Sequence, residues 1–438
     1  MNRILVLDIG TSSLKAAVFD EHFDPVAKER MEYAYEAEGH KVQIDVEKIW
    51  NALVTVTKRF QERGCFKNLE LVVPCVLSPA LIAMDREGNP LYPAIIHWDR
   101  RSVKQARTAL SIIGKETFLK VAGNIPYPGG ISLTSLLWLK EKEREVFRKA
   151  FLFGHLNTFL LRRLTGHWTI DPTNASITGL YDTVGGSGWC ASIAQELGIP
   201  IGKLPPVFSC LEIIGRITET ASRITGLPSG TPVVMGSNDT SSAALGAGLL
   251  GNGQMLNISG SSEIITISLD RPLPHEKYYL RAHPLPGKWL MYDIIIGGFA
   301  LDWFFEQFCR EITREEFYTS YLQRVLERQG NKIRFVPYLT GDRTDLRQRT
   351  GALFGLTLSA TREDCLYALV EAIVNRMKKT LVIMAEHLPL SQTLILTGGG
   401  IKALSDYKRK IFRDFSIEVK EDCSIWGCVE MAKRVFNF

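Results

Sequence analysis

A chain of 438 residues with 45% hydrophobic content can bury two substantial cores, which excludes a disordered protein and a small stapled module. A formal charge of +5, from 52 Lys and Arg against 47 Asp and Glu with no basic block, gives no electrostatic footprint for nucleic acid. No apolar run reaches the roughly eighteen residues that span a bilayer and nothing reads as a signal peptide, so a cytoplasmic protein is predicted, and the eight cysteines, without CxxC or zinc spacing, read mostly as small buried apolar residues.

The first predicted element is a hairpin: residues 4–20, ILVLDIGTSSLKAAVFD, run apolar strand, Gly10-Thr11-Ser12 turn, apolar strand. Such a turn presents backbone N–H groups and hydroxyls to a phosphate. Residues 26–35 add a third strand. Asp8 ends the first strand, either as an Asx-type turn former or as a carboxylate for hydrated Mg²⁺. Lys15 either touches a phosphate or is an exposed strand lysine. From an N-cap at Asp45, the residues Val46, Ile49, Trp50, Leu53, Val54, Thr57 and Phe60 keep helical spacing. Residues 69–77 read as a buried strand in which Pro74 argues for an edge or a strand end. Residues 94–102, AIIHWDRRS, end a strand in His97, Trp98, Asp99 and Arg101. That cluster is either a solvated turn with an ion pair, or a site where Asp99 accepts substrate hydroxyls and the rings pack on a carbon skeleton.

Residues 131–142 begin an amphipathic helix, and residues 151–166 read as a helix closed by Thr165-Gly166. Asp171, Asn174 and Ser176 fall in a polar turn, read first as capping chemistry and second as substrate contacts. Asp239 follows the buried strand at 233–235, where catalytic carboxylates are commonly mounted, and the small residues at 241–248 let a helix pack closely. Residues 254–270, QMLNISGSSEIITISLD, then repeat the first hairpin, so that Gly10, Thr11 and Ser12 fall on Gly260, Ser261 and Ser262 without a gap. Two such hairpins suggest a duplicated fold gripping a polyphosphate from both sides, with a branched side chain at Gly260 blocking backbone approach. Further on, residues 294–296 end in Gly297-Gly298, Thr361 and Asp364 frame a capping box, and residues 393–412 read strand, Gly398-Gly399-Gly400, helix. Glycines between a strand and a helix N-terminus suit a flat, partly anionic ligand.

Eight stretches in order carry a resemblance to the FGGY carbohydrate kinases: DIGTSSLKAAVFD, TGHWTIDPTNAS, LGIPIGKLPPVF, GLPSGTPVVMGSND, SGSSE, FVPYLTGDR, GALFGLTLSATRED and LTGGGIKALSDYKRKIFRD. The resemblance implies an α/β fold of two ribonuclease-H-like domains of the actin and hexokinase type, residues 1–249 and 250–438, with the active site in the cleft between them. It implies ATP-dependent phosphorylation of a sugar, ketose or polyol, with Asp239 as general base and Asp8 and Asp239 positioning Mg²⁺. Gly10, Thr11, Ser12, Lys15, Gly260, Ser261, Ser262, Gly298, Gly398, Gly399 and Gly400 are the implied ATP contacts. Ser78, His97, Trp98, Asp99, Arg101 and Asp239 are the implied substrate contacts. The expected partner is a small sugar or polyol, with no nucleic acid and no membrane; a homodimer is left open. His97 stands where the family usually has Trp, Ser135 where Lys is usual and Ala403 where Ser or Asn is usual. Residues 75–85 also lack both the Met-His and the Arg-Glu pairs found among family members. These departures keep open a second reading, a non-catalytic relative of the actin or chaperone type that binds nucleotide or senses sugar.

Overall fold

Strands β1 (Arg3–Ile9), β2 (Ser13–Phe19) and β3 (Pro25–Glu32) form the expected antiparallel meander, with Asp8 opposite Lys15 and Lys15 opposite Arg30. The computed structural model describes residues 2–328, 332–347 and 349–436, in two units. The first unit holds the chain up to Gly248, Leu269–Leu290 and the segment from Cys423; the second holds Leu249–Ser268 and Met291–Asp422. Among the described residues no helix is long and apolar enough to cross a membrane.

In the first unit β1 pairs in parallel with the strand Leu69–Val76, which in turn meets the short strands Pro232–Val234 and Ser237–Asn238. Both faces of β1 are apolar because both are covered, as parallel strands require. One face joins Ile4, Val6, Leu71 and Val73 to Leu245, Ile425, Val429 and Met431 from two helices, Asp239–Gly246 and Cys423–Val435. Those helices touch through small residues. A Cβ on Gly246 would lie 2.0 Å from the Cys423 carbonyl, and one on Gly427 would lie 1.9 Å from that of Ser242. The close packing expected of residues 241–248 is therefore real, and glycine is what allows it.

Two expectations are corrected. Pro74 lies in a central strand, opposite Leu7, not at an edge. Its carbonyl faces Gly236, in the break between the two short strands, so the missing N–H points where the ladder is already interrupted. Residues 151–166 are not one helix: Leu152–Gly154 form a strand paired with Ala80–Met84, and the helix is Leu156–Thr165, ended by Gly166 at φ +82°. The aromatic and aliphatic run hides that change of period. Asp45 caps the helix Val46–Glu62 as expected, accepting from the Glu47 N–H at 3.0 Å.

In the second unit the repeated hairpin is Met255–Ser259 with Ser262–Leu269. Thr393–Thr397 pairs in parallel beside it, followed by Ser416–Val419, and Trp289–Ile296 lies on the other side. The Thr361 and Asp364 capping box starts the helix Arg362–Ala385, whose Leu366, Leu369, Val370, Ile373, Val374 and Met377 are buried. The cysteines are free thiols, and only Cys190 and Cys365 are not buried, close to the expectation.

Candidate active site

Asp239 opens its helix, and the residue before it, Asn238, is the N-cap, accepting from the Ser241 N–H at 2.8 Å. Burial and then the charge of Asp8 raise the Asp239 carboxyl to about 6, while Arg281 and the Thr240 N–H pull it down. Asp8, at the end of β1, accepts from the Ser424 hydroxyl at 2.7 Å and from the Cys75 thiol at 3.5 Å. Tyr33 closes over the first turn, its hydroxyl donating to the Gly10 carbonyl at 2.6 Å and its N–H to that of Ser12 at 3.1 Å. Burial together with Asp8 and Asp239 holds the Tyr33 phenol well above its ordinary value. Asp8, Asp239 and the Gly10-Thr11-Ser12 turn are thus brought together, with Lys15 half-buried across the hairpin from Asp8.

A buried polar chain leads to Asn238. Ser78 donates to Asn174 Oδ1 at 2.6 Å, Asn174 donates to Asp171 at 2.6 Å, and Asp171 accepts the Thr173 N–H at 2.8 Å. Thr173 Oγ1 accepts the Asn238 N–H at 2.8 Å, and the fully buried Arg281 donates to Asn238 Oδ1 at 2.6 Å. Asp171 also caps the short helix Pro172–Ala175, so the capping reading of that turn holds. His155 lies between Ser132 Oγ at 2.9 Å and Asn174 Oδ1 at 3.4 Å, and burial lowers it to about 4.

His155 makes stability fall with acid. Between pH 6.5 and about 4 the unfolded chain takes up a proton that folded His155 refuses, so unfolding is favoured as pH drops. Over the full window this amounts to about 3 kcal/mol at 1.36 kcal/mol per pH unit. Urea unfolding of the wild type and His155→Gln at pH 7 and pH 4.5 checks it, the variant losing less stability on acidification.

Four of the six sequence-predicted acceptor residues form a second cluster, while Ser78 and Asp239 lie with the first. His97 and Trp98 contact each other with ring centroids 4.3 Å apart, and Trp98 meets Tyr35 at 5.6 Å. Asp99 is fully buried. It accepts the Val42 N–H and Arg101 Nε at 2.7 Å each, and the Arg101 N–H at 2.9 Å. Arg101 also reaches Tyr92 and Gln43 and lies over Trp138 at 4.9 Å.

In the second unit three separate glycine stretches meet at one turn. The Gly298 N–H donates to the Gly260 carbonyl at 2.9 Å, and the Gly400 N–H to that of Ser259 at 2.9 Å. Gly398 has φ +103°, and a Cβ on it would lie 2.3 Å from the Ser259 carbonyl. Gly399 is open, with nothing within 4 Å of a Cβ. A Cβ at Gly260 meets nothing closer than the Ser262 carbonyl at 3.8 Å, so within the fold itself the steric demand for glycine falls on Gly298 and Gly398.

The model of the FGGY family of carbohydrate kinases matches residues 3–246 with its N-terminal domain and residues 255–405 with its C-terminal domain. The chain belongs to the FGGY family of carbohydrate kinases. This kinase is 25% identical over 413 residues to a xylulose kinase of Staphylococcus xylosus, spanning 92% of this chain and 84% of that one. It is 26% identical over 432 residues to a gluconokinase of Bacillus subtilis, spanning 95% and 83%. The crystal structure of a ligand-bound xylulose kinase from Lactobacillus acidophilus superposes with a TM-score of 0.87 at 19% identity, covering 100% of this chain and 90% of that chain. The kinase therefore has the two-domain α/β fold of the ribonuclease-H, actin and hexokinase type and phosphorylates a carbohydrate at the expense of ATP. Sequence reasoning missed Arg281, Tyr33, Asn238 and Ser424. Asn238 was visible as a cap residue before a helix, and Arg281 as a lone charge in the buried strand Tyr279–Ala282.

Proposed function

We propose that this kinase transfers the γ-phosphoryl group of ATP to a hydroxyl of a sugar, ketose or polyol, with Asp239 as general base. The observation that carries the reading is Asp239 at a helix start beside Asp8, its carboxyl lifted to about 6. A base poised near neutral pH accepts the acceptor proton as the oxygen attacks, and phosphoryl transfer otherwise asks chiefly for alignment and charge stabilisation. The Gly10-Thr11-Ser12 and Gly260-Ser261-Ser262 turns, with Lys15, hold phosphate oxygens; Gly298 and the open Gly398-Gly399-Gly400 stretch receive the nucleotide. Ser78, His97 and Trp98 face the acceptor. Asp99 and Arg101, whose groups engage each other and Val42, hold the segment that presents the two rings.

Asp8 and Asp239 are the groups for Mg²⁺. Among the described residues no group of three His, Cys, Asp or Glu side chains is arranged to hold a metal ion, and two carboxylates alone would leave the ion its waters and phosphate oxygens. Burial raises Asp239 most and the charge of Asp8 adds to it, and a divalent cation would relieve that added repulsion. When bound, it neutralises charge on the β- and γ-phosphates.

A coupled assay of ADP release with ATP and Mg²⁺ across ketoses, sugar acids and polyols tests the proposal. At least one acceptor should raise the rate above the acceptor-free background. If none does while ADP still binds, the chain is a nucleotide-binding relative without this turnover.

A further inference from the structure

Beneath the second glycine turn lies an ionic cluster with no counterpart under the first. Lys408, on the helix Ile401–Ile411, is 1% exposed and donates to Ser259 Oγ at 2.6 Å, Asn257 Oδ1 at 2.7 Å and Glu263 Oε2 at 2.8 Å. Glu263, also 1% exposed, accepts in addition from Asn257 Nδ2 at 2.8 Å and Ser259 Oγ at 3.1 Å. Asn257 and Ser259 sit on the strand entering the turn, and Glu263 sits on the strand leaving it. One ammonium thus ties both arms of the hairpin to the helix that follows Gly398-Gly399-Gly400.

The internal repeat supplies the control. In the gapless alignment Asn257, Ser259 and Glu263 fall on Leu7, Ile9 and Ser13, all buried and without a buried lysine bonded among them. The same hairpin therefore forms in the first unit with Leu7, Ile9 and an uncharged Ser13 in place of the ionic cluster. Desolvating a lysine and a glutamate is expensive, and replacing such a pair with apolar groups of similar volume is often neutral or stabilising. Stability of the hairpin does not account for the pair.

We propose that Lys408 and Glu263 are positioning residues for nucleotide binding: they hold the Ser259 carbonyl against the Gly400 N–H and so fix the turn relative to the glycine stretch. This rests on the nucleotide reading of that turn. Ser259 is the pivot, because its hydroxyl bonds to the pair while its carbonyl takes the Gly400 N–H and excludes a side chain at Gly398. Losing the anchor displaces both ligand-facing segments without removing any group that touches the ligand.

The test is calorimetric titration of the full chain with ADP, alongside thermal melting. Wild-type binding of ADP tests the nucleotide reading itself; the variants test the pair. The paired substitution Lys408→Met with Glu263→Leu should melt at or above the wild-type temperature yet bind ADP about tenfold to a hundredfold more weakly, as expected for a misplacement of the order of 1 Å. The pair Lys408→Gln with Glu263→Gln, which keeps hydrogen-bonding groups, should recover most of that loss. Wild-type ADP affinity in the Met/Leu protein would overturn the proposal, as would equal losses in both double variants. Failure of the Met/Leu protein to fold would also overturn it, since the pair would then be a requirement of the core.

Discussion

Asp239→Asn should leave a folded protein that still binds nucleotide and acceptor but turns over roughly 10² to 10⁴ times more slowly, the range a general base contributes. Asparagine keeps the shape of the side chain and the bond to the Thr240 N–H, 2.7 Å from Oδ1 in the wild type. It cannot take a proton. The defect should therefore lie in kcat, with the acceptor Kd changed by less than about tenfold, or 1.4 kcal/mol. Wild-type kcat/KM should also fall in acid, where Asp239 becomes protonated and loses its capacity as a base, the fall lying below about 6 to the extent that Mg²⁺ offsets the charge of Asp8. Steady-state kinetics across pH 5 to 8 with calorimetry on the variant would check both. Near wild-type turnover in Asp239→Asn, with loss in Asp8→Asn, would move the base to the other acid.

The second large effect is on stability. Gly427→Ala places a methyl group 1.9 Å from the Ser242 carbonyl oxygen, and the clash is with helix backbone, which cannot rotate away as a side chain can. The helices Asp239–Gly246 and Cys423–Val435 must separate. Overpacking a tight core commonly costs 1–3 kcal/mol, and a backbone clash this close belongs at or above the upper end, about 3 kcal/mol, or roughly 5 °C in Tm for a unit of this size. Gly202→Ala is the matched control: a Cβ there has nothing within 4 Å, so its change should stay within about 0.5 kcal/mol. Scanning calorimetry on the two variants gives the comparison. The moving helix carries Ser424, the donor to Asp8, so Gly427→Ala should also lower activity at temperatures where it remains folded.

What could be read from the sequence was local. The two hairpins announced themselves because an apolar strand, a glycine-hydroxyl turn and a second apolar strand recur at matching spacing, and the capping box before Arg362–Ala385 is a four-residue signal. Asp239 was legible because a short apolar run changes into a small-residue helix at that point. Pro74 misled because its rule concerns a missing N–H, and whether that matters depends on a break in a neighbouring strand some 160 residues later. Lys408 stayed hidden for the same kind of reason, looking like an ordinary surface charge until its partner Glu263 comes from a distant segment, and Arg281, though a lone charge in an apolar strand, gave no local sign that its partner is Asn238. Local pattern also said little about membership of the units, since Leu269–Leu290 and the helix Cys423–Val435 join the first unit through contacts far along the chain.

That last helix has a consequence for how the protein comes into being. Asp8 leaves the ribosome 416 residues before its hydroxyl donor, Ser424, and the apolar cluster around Ile4, Val6 and Val73 is closed by Ile425, Val429 and Met431. Domains that form during synthesis ordinarily do so in the order they emerge. Here the first unit must wait with one face of its sheet uncovered until the whole second unit has been translated. The growing polypeptide therefore carries a sticky, half-finished sheet while the second unit is being made, and the hydroxyl partner of Asp8 arrives only after it.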